Sequence, residues 1–210
     1  MFAKICGITR VEDARHAVAE GATALGFVFW PGSPRAVAPA TAREILARLE
    51  QPVVSVGVFV DAPVDALRRA VAESGVTMVQ LHGDETPDVG AAAGVPVLRA
   101  VGLARVAADA AAWPEDTVWL LDAHDPVRRG GTGRRIDWAA AAEVARARRV
   151  VLAGGLTPEN VAEAIATVRP IGVDVSSGVE ASPGVKDPEL VSRFLANARA
   201  AFAERFRRVE

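Results

Sequence analysis

Cysteine is almost missing from this chain: Cys6 is the only one in 210 residues. A lone thiol excludes an internal disulfide and any cysteine-cluster metal site. A basic excess is missing too. Lysine and arginine number 24 against 26 acidic residues, for a net charge of −2, and they are scattered along the chain. That argues against a nucleic-acid partner or a membrane surface, which call for a basic stripe. No apolar run approaches the roughly twenty residues of a membrane span. The first residues lack the basic-then-apolar order of a secretory signal, so a cytoplasmic location is expected. No G-x-G-x-x-G follows the first apolar run, which removes the usual dinucleotide fingerprint. The stretch from Arg128 to Arg135 is rich in glycine and arginine but lacks a G-K-[ST] ending. It reads as a basic flap over an anionic ligand rather than as a P-loop.

What is present is a globular balance, 50% hydrophobic and 24% charged, ample for one core over residues 1–210. Short β-branched runs alternate with alanine-rich helical stretches. The strand candidates are Ala3–Cys6, Ala24–Phe29, Val53–Val60, Met78–His82, Val97–Val101, Val118–Asp122, Val150–Ala153 and Gly172–Val175. Most carry few polar residues, as parallel strands covered on both faces do. Helix candidates lie between them, from Val11–Glu20 to Pro188–Phe206. Thr157-Pro158-Glu159 supplies an N-cap, a first-turn proline and an acid, and Asp137 caps a helix from Trp138. Leu67, Ala70 and Val71 share one helical face, with Arg68 and Arg69 outward. About eight strand–helix pairs fit a single (β/α)₈ barrel of the TIM class. A doubly wound open sheet is the alternative, but nothing marks a reversal of strand order.

In a parallel barrel the chemistry gathers at the carboxyl ends of the strands. Cys6 ends the first strand before Gly7 and reads as a nucleophile, a general base or a small buried hydrophobe. Lys4 alternates with Ile5 and so shares the face of Cys6, where an ammonium would favour the thiolate. Asp122 closes the sixth strand; partial burial would raise its pKa and suit it to acid work. Asp125 and Asp174 compete for that role. Asp125 reads as a turn residue before Pro126, and Asp174, inside a strand, as a group that orients a ligand or neighbour. Arg35, in the loop after the second strand, can hold a carboxylate bidentately. His82 ends the fourth strand and is either a donor to a ligand or a structural histidine. Gly154 and Gly155 follow the seventh strand, and Ser176, Ser177 and Gly178 the eighth. Loops there form the recurrent phosphate site of this fold.

Taken together, Lys4-Ile5-Cys6-Gly7-Ile8-Thr9, Val79-Gln80-Leu81-His82-Gly83, Leu120-Leu121-Asp122, Gly130-Gly131-Thr132-Gly133, Gly154-Gly155-Leu156-Thr157-Pro158-Glu159-Asn160-Val161 and Asp174-Val175-Ser176-Ser177-Gly178-Val179-Glu180 resemble the N-(5′-phosphoribosyl)anthranilate isomerase family. The resemblance runs over nearly the whole chain. It implies a (β/α)₈ fold, no cofactor and no metal. The implied reaction is the Amadori rearrangement of N-(5′-phosphoribosyl)anthranilate to 1-(2-carboxyphenylamino)-1-deoxy-D-ribulose 5-phosphate in tryptophan biosynthesis. By the same resemblance Cys6 falls at the general base, Asp122 at the general acid and Arg35 at the site of the anthranilate carboxylate. Gly154, Gly155, Ser176, Ser177 and Gly178 fall in the phosphate loops. Ala123, Ala153 and Trp30 depart from the commonest family residues and bear on pocket shape only. Other sugar-phosphate barrels require different sets, a lysine and glutamate or paired aspartates, and the first strand here ends in Cys6. A non-catalytic phosphate-binding barrel is the remaining alternative. The expected partner is a small phosphorylated substrate, and a monomer is expected over a homodimer.

Overall fold

A computed structural model describes residues 1–123 and 136–207. The stretch 124–135, with His124, Asp125 and the expected basic flap, lies outside the described residues. Strands β1 (Phe2–Cys6), β2 (Ala24–Val28), β3 (Val54–Phe59), β4 (Met78–Leu81), β5 (Val97–Val101), β6 (Val118–Leu121), β7 (Val150–Leu152) and β8 (Gly172–Val175) form a closed parallel barrel in chain order. Closure excludes the open sheet: β1 pairs with β8, placing Lys4 opposite Asp174. Helices α1 (Val11–Ala19), α2 (Pro39–Leu46), α3 (Val64–Ser74), α4 (Pro87–Ala92), α5 (Val106–Ala112), α6 (Trp138–Ala147), α7 (Val161–Val168) and α8 (Pro188–Arg207) follow the strands.

Alternation along each strand divides the core in two. Outward, Ile5, Leu25 and Phe27 pack with Ala14 and Ala17 of α1 and Phe194 and Leu195 of α8. Each such burial contributes about 1.5–3 kcal/mol. Inward, Leu98, Ala100, Leu120 and Val151 fill the barrel at the end where the strands begin, beside Phe2 and Met78. The other end is lined by Cys6, Val28 and Val58, with Trp30 over them. The barrel is therefore apolar at that end, where Phe2, Met78, Leu98 and Val151 line a recess of about 390 Å³, and its polar groups lie toward the strand carboxyl ends.

Two expectations about elements need correction. Thr157 is not the N-cap of α7. The helix starts at Val161 with Asn160 at its N-cap. Asn160 ties the loop instead: its Oδ1 accepts from the Thr157 amide at 2.8 Å, and its Nδ2 donates to the Gly155 carbonyl at 2.9 Å. The glycine pair is thereby fastened to the helix it precedes. A hairpin also follows β8, of strands β9 (Glu180–Ser182) and β10 (Val185–Lys186), antiparallel and outside the barrel. Gly184 turns it with φ at 81°, in the left-handed region glycine favours. Other readings hold. Asp137 caps α6 by accepting from the amides of Ala139 and Ala140, and α3 buries Leu67 while Arg68 and Arg69 face out.

Candidate active site

Polar side chains on or just after four strands, β1, β4, β6 and β8, converge inside the open end of the barrel. Lys4, on β1, is fully buried. A buried, unpaired ammonium would cost several kcal/mol, and Lys4 is paired. Its Nζ donates to Gln80 Oε1 and to Asp174 Oδ1, each at 2.9 Å. Burial alone would lower its pKa, but Asp174, with Cys6, holds it above the ordinary lysine value. Asp174 thus orients a neighbour from within β8.

Cys6 is 8% exposed and shares its face with Lys4, as alternation requires. Its Sγ lies against Gly26 of β2: a Cβ there would stand 2.7 Å from the sulfur and 2.9 Å from Lys4 Cε. Glycine at that position makes the space that the thiol and the ammonium occupy. The expected pull of Lys4 toward the thiolate is present but outweighed. Burial pushes Cys6 up, Lys4 pulls it down, Asp174 pushes it up again, and the outcome is a raised value.

Asp122 follows β6, its backbone amide bonded to Val101 O at 3.2 Å. Its Oδ1 accepts from the Ala123 amide at 2.8 Å. Burial, aided by the negative charge of Asp174, raises its pKa to about 7, against smaller opposing effects of the Ala123 amide and Lys4. The carboxyl can therefore hold a proton near neutral pH, as an acid catalyst must. His82 stands beside it, with Nε2 3.5 Å from Asp122 Oδ2, while Gln80 Nε2 meets His82 Nδ1 at 2.9 Å. Asp174, Lys4, Gln80, His82 and Asp122 form one polar chain across the barrel.

Arg35 is 9% exposed and is committed to a protein partner. Its Nε and Nη2 donate to the two carboxylate oxygens of Glu180 at 2.8 and 2.7 Å. Lys186 Nζ adds a bond of 2.7 Å to Glu180 Oε1. Burial would raise Glu180, but Arg35 and Lys186 hold it below the usual glutamate range. The guanidinium is thereby fixed over Gly7, whose φ is 75° and where a Cβ would meet Arg35 Cδ at 2.6 Å and Ser176 Oγ at 3.0 Å. This fork leaves Nη1 and its outer edge for another acceptor.

The two glycine loops are adjacent. Gly154 and Gly155 have φ of 78° and 67°, conformations that side chains resist. A Cβ on Gly154 would meet the Ala123 amide nitrogen at 2.7 Å and Asp122 Oδ1 at 3.2 Å, so this glycine backs the acid. A Cβ on Gly178 would strike the Leu156 carbonyl, so that glycine lets the loop after β8 touch the loop after β7. Ser176 stands at the N-cap of a 3-10 turn over Ser177–Val179. Sequence reasoning missed Gln80, Gly26 and Glu180. The available signal was an amide in the middle of a strand buried on both faces, which is costly unless bonded. Among the described residues no group of acidic, histidine and cysteine side chains is arranged to hold a metal.

A closed parallel barrel with ionisable groups gathered at one mouth defines the class: a (β/α)₈-barrel enzyme. The family model for N-(5′-phosphoribosyl)anthranilate isomerase matches residues 3–197. An isomerase of that name from Geobacter sp. strain M21 is 50% identical over 200 residues, covering 93% of this chain and 97% of the relative. The crystal structure of phosphoribosyl anthranilate isomerase from Thermus thermophilus is 43% identical, with a TM-score of 0.85, over 95% of this chain and 99% of that one. A further isomerase structure, in complex with reduced 1-(o-carboxyphenylamino)-1-deoxyribulose 5-phosphate, is 38% identical with a TM-score of 0.82, again over 95% and 99%. The chain belongs to the N-(5′-phosphoribosyl)anthranilate isomerase family, an isomerase of tryptophan biosynthesis. Among the described residues no helix is long and apolar enough to cross a membrane.

Proposed function

We propose that the protein catalyses the Amadori rearrangement of N-(5′-phosphoribosyl)anthranilate, with Asp122 as general acid and Cys6 as general base. The observation that carries this reading is a carboxyl raised to about 7 by burial, at the same barrel mouth as the chain's one thiol. In the first step Asp122 protonates the furanose oxygen. The C1′–O bond breaks, and the nitrogen lone pair forms the C1′ iminium. In the second step Cys6, as thiolate, takes the proton from C2′, and the C–H electrons neutralise the iminium to give an enolamine. The enolamine then moves its hydroxyl proton to C1′, giving the amino ketone with no net gain or loss of atoms, and the proton taken up by Cys6 returns to Asp122 by way of solvent. A raised thiol fits this order. Lys4 favours the thiolate already, and the cationic iminium adds to that attraction only after ring opening.

Arg35, held by Glu180, binds the anthranilate carboxylate. The backbone of Gly154 and Gly155 and the turn at Ser176, Ser177 and Gly178 take the phosphate, and His82 and Asp174 complete the ligand's surroundings through Asp122 and Lys4. The relative solved with a reduced, phosphorylated carboxyphenylamino sugar supports this substrate class. The test is to mix the protein with N-(5′-phosphoribosyl)anthranilate and follow its fluorescence. A change that continues with turnover supports the reaction. Binding without turnover would leave only a phosphate-binding barrel.

A further inference from the structure

We infer that Gln80 is a positioning residue: its amide, fixed by Lys4, holds His82 in the tautomer that carries the proton on Nε2, facing Asp122. Three contacts link Lys4 to Asp122 through Gln80 and His82. The Lys4 ammonium has three donors and no acceptor. It donates to Gln80 Oε1 at 2.9 Å, so the amide oxygen must face Lys4. Turning the amide over would set its NH₂ against the ammonium, donor against donor, around a lysine that is 0% exposed. The Gln80 NH₂ therefore faces His82 Nδ1, at 2.9 Å. An NH₂ group only donates, so Nδ1 must accept. A neutral imidazole whose Nδ1 accepts carries its proton on Nε2. That nitrogen lies 3.5 Å from Asp122 Oδ2, a separation of the kind that tightens when substrate binds.

The tautomer matters because the two forms act on Asp122 in opposite ways. With the proton on Nε2, the imidazole cannot accept from Asp122. The carboxyl keeps its proton for the substrate, and after the transfer Nε2–H faces the new carboxylate. With the proton on Nδ1, a lone pair would face the carboxyl and draw its proton away. Among the described residues, Lys4 and Asp174 act on Asp122, and Arg99 and Arg105 line the recess that His82 and Asp122 share. The inference rests on the reading of Asp122 as the acid, but the tautomer itself is measured without substrate.

The experiment is ¹⁵N NMR of the full chain labelled at histidine. There are three histidines, and His82→Gln identifies the signals of His82. The wild-type protein should show a pyridine-type Nδ1 and a pyrrole-type Nε2. Gln80→Glu puts a carboxylate, which only accepts, between Lys4 and Nδ1, and should move the proton to Nδ1. With it kcat should fall roughly tenfold or more, a share of the 10²–10⁴ that a positioned acid contributes, with KM little changed. Gln80→Met, which neither donates nor demands a proton, should fall between the two. A wild-type His82 protonated on Nδ1 would overturn the inference, and this reading needs no variant to fold. So would a Gln80→Glu protein whose tautomer changes while kcat does not. If the wild-type signature is as expected but the isomerase substrate is not turned over, the proposed reaction fails and the clamp stands.

Discussion

Cys6 and Asp122 differ in how much of their behaviour their own identity decides. Burial and the charge of Asp174 together raise the Asp122 carboxyl to about 7. Cys6 gains nothing from burial, and its usefulness depends on Lys4. Replacing Lys4 by Met should therefore reduce activity by acting on Cys6, and should also leave Asp174 buried without its cation. Cys6→Ala and Asp122→Asn should both fold and each lose about a hundredfold or more in kcat, the size of a general acid–base contribution. Arg35→Met should weaken substrate binding by about 1.5–3 kcal/mol, the worth of a charge-assisted bond. Inorganic phosphate should bind it nearly as well as the wild type. A titration in which both ligands weaken equally would contradict the placement of Arg35. Much at this scale was legible from strand alternation, which put Lys4 and Cys6 on one face. The partners of each group were not, because Gln80, Asp174 and Glu180 meet Lys4 and Arg35 only after distant strands close into a ring.

At the level of elements, the loops after β7 and β8 divide their work. Gly154 backs Asp122, Gly178 allows the two loops to touch, and Asn160 anchors the Gly155 carbonyl to α7. Gly155→Val requires a branched residue at φ of 67°, which valine resists. It should abolish phosphate binding, measured by calorimetry. Ser177→Ala removes at most one hydroxyl donor and should cost about 1 kcal/mol. Equal losses in the two variants would show that a hydroxyl, and not the backbone, holds the anion. The strand cores were readable from their β-branched runs, and Asp137 from its place before α6. The start of α7 was not. Thr157-Pro158-Glu159 carries every local signal for a helix start, yet α7 begins at Val161, and the Asn160 side chain at the N-cap position turns back to Gly155 and Thr157 rather than capping the helix. The hairpin of β9 and β10 also escaped, since its two short strands lie outside the barrel and carry little apolar pattern.

For the whole molecule, an apolar lower barrel and a polar mouth make the proposed catalysis and the stability share one group. Asp122 takes up its proton more readily folded, at about 7, than at the ordinary value of 3.8. Its folded pKa is raised, so the native state binds more protons than the unfolded chain between those values, and stability falls as pH rises from about 4 to 7. Asp122→Asn lacks this dependence. Its stability relative to wild type should rise across that window by up to about 4 kcal/mol, as read from denaturant unfolding at several pH values. A constant difference would mean that Asp122 is not held protonated. Eight alternating strand and helix patterns made the barrel legible, because burial on both faces imposes apolar strands wherever they fall in the chain. Ring closure between β1 and β8 pairs residues 170 positions apart, Lys4 and Asp174, and no local pattern carries that pairing. The most direct measurement of the central claim is fluorescence-monitored turnover of N-(5′-phosphoribosyl)anthranilate by wild type, Cys6→Ala and Asp122→Asn side by side. The account predicts turnover by the wild type, and in each folded variant a kcat lower by about a hundredfold or more. A wild type without turnover, or a Cys6→Ala protein working at the wild-type rate, would contradict it.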